Sequence, residues 1–196
     1  MRVLVVTAVE AERDAIALPN VIAGGIGPAA SAAATSAALA TGRYDLVVSA
    51  GIAGGFAPLG VCDIAVASTI SFADLGRETP DGFDALSMAT SRYEVAPALA
   101  IELADRTGGH LGTIVTVATV TGTADTADAL VERYPDVIAE AMEGAGVAAA
   151  AQQHGVPFAE IRAISNAVGP RGVWQVPEAL GALDAAFRSA ARGWTA

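Results

Sequence analysis

Val137-Ile138-Ala139-Glu140-Ala141-Met142-Glu143-Gly144-Ala145-Gly146, continued through Ala151 with no charged side chain, decides how the chain is to be read. The apolar run Val137–Glu140 predicts a buried strand, and Glu143–His154 predicts an apolar helix opened by an acid. A strand feeding a helix is the unit of a layered α/β sheet, in which functional groups gather at the carboxyl ends of strands. At the start of that helix Glu143 meets unpaired N–H groups and the positive end of the macrodipole. A carboxylate only accepts hydrogen bonds, and a pair of hydroxyls is what it would accept there. Gly144 and Gly146 are expected to let a ligand come close to the backbone. The same residues also describe an ordinary acid capping a core helix, so the decision falls to other stretches.

Outward from this unit the chain alternates short apolar runs with longer helical ones. Strands are predicted at Val3–Thr7, Leu46–Ala50, Ile64–Ile70, Gly112–Thr119, Val137–Glu140 and Phe158–Ser165. Helices are predicted at Glu10–Leu18, Pro28–Thr41, Ala96–Arg106, Thr126–Tyr134, Glu143–His154 and Pro177–Arg192. The expectation is one α/β domain spanning residues 1–196.

Charge and composition exclude several kinds of chemistry. A net charge of -10 disfavours nucleic acid and anionic membrane as partners, since both need a basic face. All 11 basic residues are Arg, which removes Schiff-base lysine and P-loop lysine chemistry. Cys62 is alone and His110 and His154 have no partner at ligand spacing, so neither a disulfide framework nor a metal is expected. Met1–Thr7 is followed at once by Glu10, Glu12 and Asp14, which reads as a buried strand rather than a signal peptide; a cytoplasmic protein is expected.

Three strand ends carry candidate chemistry. Past the first strand stand Glu10 and Glu12, of which one can point inward and the other to solvent; an inward carboxylate can hold and deprotonate a water. Acids in the first turn of a helix explain the pair equally well. Two glycine turns are expected, Gly24-Gly25-Ile26-Gly27-Pro28 and Gly51-Ile52-Ala53-Gly54-Gly55, the second following a strand that ends at Ala50. The first superficially matches a dinucleotide fingerprint, but Asp45 starts the next strand instead of ending it, so no cofactor is expected. Ser165 and Asn166 close the last strand before Gly169-Pro170, as a site loop or an Asx-turn would. The Asn166 amide can grip the N7–H and O6 edge of a 6-oxopurine, yet by flipping it serves a 6-aminopurine as well.

Taken together, Glu12, Gly25-Ile26-Gly27, Gly51 through Gly55, Met142-Glu143 and Arg162-Ala163-Ile164-Ser165-Asn166 resemble the purine nucleoside phosphorylase and nucleosidase superfamily over almost the whole chain. Within it the chain looks most like the futalosine hydrolases of menaquinone biosynthesis. Thr116 through Thr123, Ala73-Asp74-Leu75-Gly76 with Asp81-Gly82-Phe83, and the Val168-Gly169-Pro170-Arg171 turn carry that likeness.

The resemblance implies a three-layer sandwich with a central mixed β-sheet flanked by helices, and hydrolysis of an N-glycosidic bond. Futalosine would give hypoxanthine and dehypoxanthine futalosine. By similarity Glu12 activates water, Glu143 binds ribose hydroxyls with Met142 against the sugar, and Asn166 handles the purine N7. Ile26, Gly51, Ile52, Ala53, Gly54, Thr119, Val120 and Ser165 are implied to line the substrate crevice. The benzoate of futalosine invites Arg77 or Arg171, with Phe72, Phe83 and Trp174 flanking its ring; each is as readily a surface charge or a packing residue. Methylthioadenosine nucleosidases differ in carrying Asp at the position of Asn166 and an aromatic at that of Thr119. Between Leu18 and Gly24 the chain is shorter than in most relatives, and a homodimer or larger homo-oligomer is expected to complete the pocket wall. The alternatives are a phosphorylase, which would need a cationic phosphate cradle, a methylthioadenosine-type nucleosidase, and a non-catalytic binding protein.

Overall fold

The computed structural model describes residues 1–80, 82–86, 88–170 and 174–195. Its elements in chain order are β1 (Val3–Thr7), α1 (Glu10–Ala15), β2 (Val21–Ala23), α2 (Pro28–Thr41), β3 (Leu46–Gly55), β4 (Ile64–Phe72), β5 (Gly76–Thr79), β6 (Gly82–Ala85), β7 (Arg92–Glu94), α3 (Pro97–Thr107), β8 (His110–Thr116), α4 (Ala124–Arg133), β9 (Val137–Ala141), α5 (Gly144–Gln153), β10 (Phe158–Ala167) and α6 (Val176–Ala190). The main sheet is mixed and runs β10-β4-β8-β9-β3-β1-β2, with β7 on the edge of β4. Because β10 also pairs with β3, five strands close into a ring and β1 and β2 extend from it. Closure removes the sheet edge on that side and gathers the ends of β3, β9 and β10 around one mouth.

Strands buried on both faces need helices on both sides. Leu4, Val6 and Val47 pack with Leu39 of α2 and Val147 and Ala151 of α5. On the opposite side Ile16, Leu103, Leu183 and Phe187, from the end of α1 and from α3 and α6, cover Val5, Val48 and Ile161. The α5 helix is buried along nearly its whole length, which is why its sequence shows no polar face. Among the described residues no helix is long and apolar enough to cross a membrane.

Four short strands escape the sequence reading: the edge strand β2, the paired β5 and β6, and β7. Each has four residues or fewer, too few for a period to show. The segment after Leu18 turns at Asn20 and goes directly into β2, whose register beside β1 begins at Val5↔Val21. The β8 strand stops at Thr116, three residues short of the expected Thr119, and residues 117–123 form the loop that follows.

One expectation is corrected outright. Gly51 to Gly55 form no turn; they are the second half of β3, paired with β10 and β9. Glycine is required there by close approach rather than by a bend. A side chain at Gly51 would run into the Glu12 carboxylate and Arg162, one at Gly54 would lie 2.8 Å from Val168 Cγ2, and one at Gly55 would lie 2.7 Å from Ile164 Cγ2.

Candidate active site

A cavity of about 220 Å³ opens at the mouth where β1, β3, β9 and β10 end. Glu12, Ile26, Ile52, Ala53, Gly54, Val120, Met142, Glu143, Ser165, Asn166 and Trp174 all line it, so most of the residues singled out in the sequence meet here. Gly51 lies directly beneath, where its missing side chain leaves space for the Glu12 carboxylate. Thr119 lines a neighbouring recess with Phe83 and Arg133, separated from the first by Val120. Phe72 packs against the core rather than lining the cavity. Arg77 pairs with Asp84 across the exposed β5–β6 hairpin, and Phe83 lies under the Arg133 guanidinium, 4.2 Å from its ring centre. Neither Arg77 nor Phe83 is among the lining residues, and Arg171 lies outside the described residues.

Glu10 and Glu12 separate because both lie on α1, where residues two apart point about 200° from each other around the helix. Glu10 is exposed, while Glu12 is 4% exposed. The Glu12 carboxylate is held by three backbone donors: Ala8 N–H at 2.9 Å and Val9 N–H at 3.2 Å on Oε2, and Ile52 N–H at 2.9 Å on Oε1. Backbone donors cannot rotate away, so the carboxylate faces the cavity in one orientation.

The Glu143 side chain is not a helix cap. The residue stands at the N-cap of α5, but its side chain makes no cap hydrogen bond. Instead Oε1 accepts from Gly27 N–H at 3.1 Å and Oε2 lies 3.2 Å from Arg162 Nη1. Its own carbonyl accepts from Ser31 Oγ at 3.1 Å, tying the junction to α2. The glycines of this helix also acquire a different role. A side chain at Gly144 would collide with the Glu160 carboxylate, and one at Gly146 with the Pro28 carbonyl and Ser31. The room they leave is taken up by the protein itself; close packing of α5 on the start of α2 is what carries Gly27 to Glu143.

Arg162 is the site residue whose role the sequence reading missed. It is fully buried; Nε donates to Glu160 Oε1 at 2.8 Å and Nη2 to Ser49 Oγ at 2.9 Å, with Glu143 beside Nη1. Burial works against its charge, but Glu160, Glu143 and Glu12 outweigh burial and raise its pKa. One cation therefore sits among three acids and fixes two of them from behind. An Arg inside an apolar strand flanked by Glu at position 160 was the available signal, because such a charge is buried only when paired.

Burial pushes the Glu160 carboxyl above the ordinary carboxylate range, with Arg162 opposing and Glu143 adding to the rise. The native protein then holds a proton that the unfolded chain has already lost. Stability falls as pH rises from the ordinary carboxylate value through the raised native one. Glu160→Gln cannot titrate and loses this component. Melting temperatures followed from acid to neutral pH should fall less with rising pH in the variant than in the parent, and parallel curves would refute the assignment.

Ser165 and Asn166 are neighbours on β10, yet both line the cavity. On a regular strand they would face opposite ways; here the register with β3 slips between Ile164 and Asn166, and the bulge brings both to one side. Asn166 Nδ2 donates to Ala167 O at 2.8 Å, which assigns the amide its orientation, and leaves Oδ1 2.9 Å from Ser165 Oγ, whose other acceptor is Ala53 O at 3.2 Å. A second N–H and a second lone pair of that amide remain for a ligand. The loop 117–123 forms the wall opposite; its anchors include Val117 N–H to Ala141 O at 2.9 Å, Ala118 N–H to Asp74 Oδ2 at 2.7 Å and Thr121 N–H to Glu140 Oε1 at 2.9 Å.

The chain matches the model of the phosphorylase superfamily over residues 17–192. It is 48% identical to the futalosine hydrolase of Streptomyces coelicolor, over 93% of this chain and 92% of the relative. It is 42% identical to the futalosine hydrolase of Acidothermus cellulolyticus, over 97% and 91%. In structure it resembles a futalosine hydrolase mutant of Helicobacter pylori with a TM-score of 0.82, 19% identity and coverage of 98% and 99%, a likeness of fold.

Proposed function

This chain belongs to the phosphorylase superfamily, and from that membership together with the site we propose that it is a nucleoside hydrolase that cleaves the N-glycosidic bond of futalosine and releases hypoxanthine. The observation that carries the reading is the trio of acids, Glu12, Glu140 and Glu143, in one small and otherwise largely apolar cavity. Breaking the bond builds positive charge on the ribose, and a carboxylate-walled, water-poor site stabilises that charge more strongly than water would. The same carboxylates repel a phosphate nucleophile, which favours water over phosphorolysis.

Each residue then has a task. Glu12, with its orientation fixed by Ala8, Val9 and Ile52, accepts a proton from the attacking water. Glu143 accepts from the ribose hydroxyls, with Met142 against the sugar. The Asn166 amide donates to N7 as negative charge develops on the leaving base. An amide has no acidic proton to transfer, so the base departs stabilised by hydrogen bonding, which suits a 6-oxopurine that leaves readily as an anion. On this reading the enzyme serves menaquinone biosynthesis and works in the cytoplasm. The 39% exposed Val9, 63% exposed Ile26 and 39% exposed Trp174 at the mouth support a homo-oligomer in which another copy covers this rim.

The test is base release from futalosine, its 6-amino analogue, inosine and methylthioadenosine. Hypoxanthine from futalosine well above the other three is expected. Preferential adenine release from methylthioadenosine would give the site to the alternative nucleosidase.

A further inference from the structure

Glu160 is a fully buried acid to which the steps above assign no task, and it does not line the cavity. Its Oε1 accepts from Arg162 Nε at 2.8 Å, whereas its Oε2 has no hydrogen-bond partner among the described residues. Gly144 closes over the same carboxyl group, where any side chain would collide with it. The other edge of the Arg162 guanidinium adjoins the working acids. Nη1 lies 3.2 Å from Glu143 Oε2, and both Nη1 and Glu12 Oε1 border the space that a side chain on Gly51 would need. Nη1 makes no hydrogen bond among the described residues, so it acts there as a charge beside two carboxylates. Where that charge sits is set from behind, by Glu160 on Nε and Ser49 on Nη2.

We propose that Glu160 is a positioning residue of the hydrolysis: by holding Nε of Arg162 it aims Nη1 at Glu12 and Glu143. The assignment deepens the hydrolase reading and rests on it. An anion behind the guanidinium would compete with the two working acids for one positive charge, whereas a neutral carboxyl group accepts from Nε and leaves that charge to them. The charged groups that face Glu160 are Arg162 on its own strand and Glu143 at the head of α5, and Glu12 of α1 acts on the same guanidinium. Full burial with one oxygen unpaired favours the neutral form. Its ionisation at higher pH draws the charge of Arg162 back toward Glu160 and leaves Glu12 and Glu143 repelling each other. Hydrolysis then declines.

The experiment uses two variants and two ligands. Glu160→Leu removes the acceptor; its kcat/KM with futalosine should fall on the order of tenfold to a hundredfold, while its affinity for hypoxanthine, by calorimetry, stays within about twofold of the parent. Glu160→Gln keeps an acceptor for Nε and cannot ionise, so it should recover most of that loss and hold its kcat/KM to higher pH than the parent. Glu160→Gln no better than Glu160→Leu, coincident pH profiles of Glu160→Gln and the parent, or a loss of hypoxanthine affinity equal to the loss in kcat/KM would each overturn the assignment. If Glu160→Leu does not fold, the pH profile of Glu160→Gln decides alone. A parent that releases no base from any nucleoside would remove the hydrolase reading. Futalosine binding then decides the assignment: Glu160→Leu weakens it relative to hypoxanthine binding if the assignment holds, and keeps the parent's ratio if it fails.

Discussion

Glu12→Gln is expected to lower kcat by about a hundredfold to ten-thousandfold while hypoxanthine still binds, because the substitution removes the proton acceptor and leaves the base wall intact. The structure adds a second expectation. The Glu12 carboxylate accepts from Ala8 and Val9 on one oxygen and from Ile52 on the other. An amide must turn its NH₂ toward one of these sets, placing donor against donor, and each buried donor so orphaned costs about 1–3 kcal/mol. The variant should therefore melt at a lower temperature as well as turn over slowly. Binding and melting on the same preparation separate the two effects. Retained turnover in a folded variant would take the water-activating role from Glu12, and lost binding would make its role structural.

Glu143→Gln should produce the other large effect, and a different pattern. Glu143 Oε2 lies against Arg162 and Oε1 accepts from Gly27, and what remains of its acceptor capacity is proposed for the ribose hydroxyls. Hydrogen bonds to a charged group contribute about 1.5–3 kcal/mol each, so losing charge opposite two hydroxyls lowers kcat/KM by on the order of a hundredfold or more. Affinity for the free base, which has no ribose, should hardly change. Steady-state kinetics with futalosine and calorimetry with hypoxanthine give the two numbers. An equal loss in both would mean that the substitution had collapsed the cluster around Arg162 rather than removed a sugar contact.

The sequence was most legible where a residue's role follows from its position in one element. The inward turn of Glu12 follows from helical spacing, which puts it on the opposite side of α1 from the exposed Glu10, and the strand-to-helix junction at Glu143 follows from a change of period. What was hidden depends on contacts between elements far apart in the chain. Gly144 and Gly146 invited a ligand until Glu160, Pro28 and Ser31 were seen to fill their space. Gly51 to Gly55 suggested a turn because glycine is common in turns, whereas the reason for glycine is what presses on β3 from Glu12, Val168 and Ile164. The Ser165 bulge, which lets two neighbours share a face, is a register event between β10 and β3 and leaves no periodic trace in either. Glu140 was read as the end of a strand, and its place on the cavity wall shows only in the fold.

The central claim is that water, activated by Glu12 between carboxylates, attacks the sugar. The most direct measurement is the sugar product formed from futalosine in the presence and absence of inorganic phosphate. Hypoxanthine release at the same rate in both, with an unphosphorylated sugar product, is the result this account predicts. Release that requires phosphate and yields a sugar 1-phosphate would contradict it.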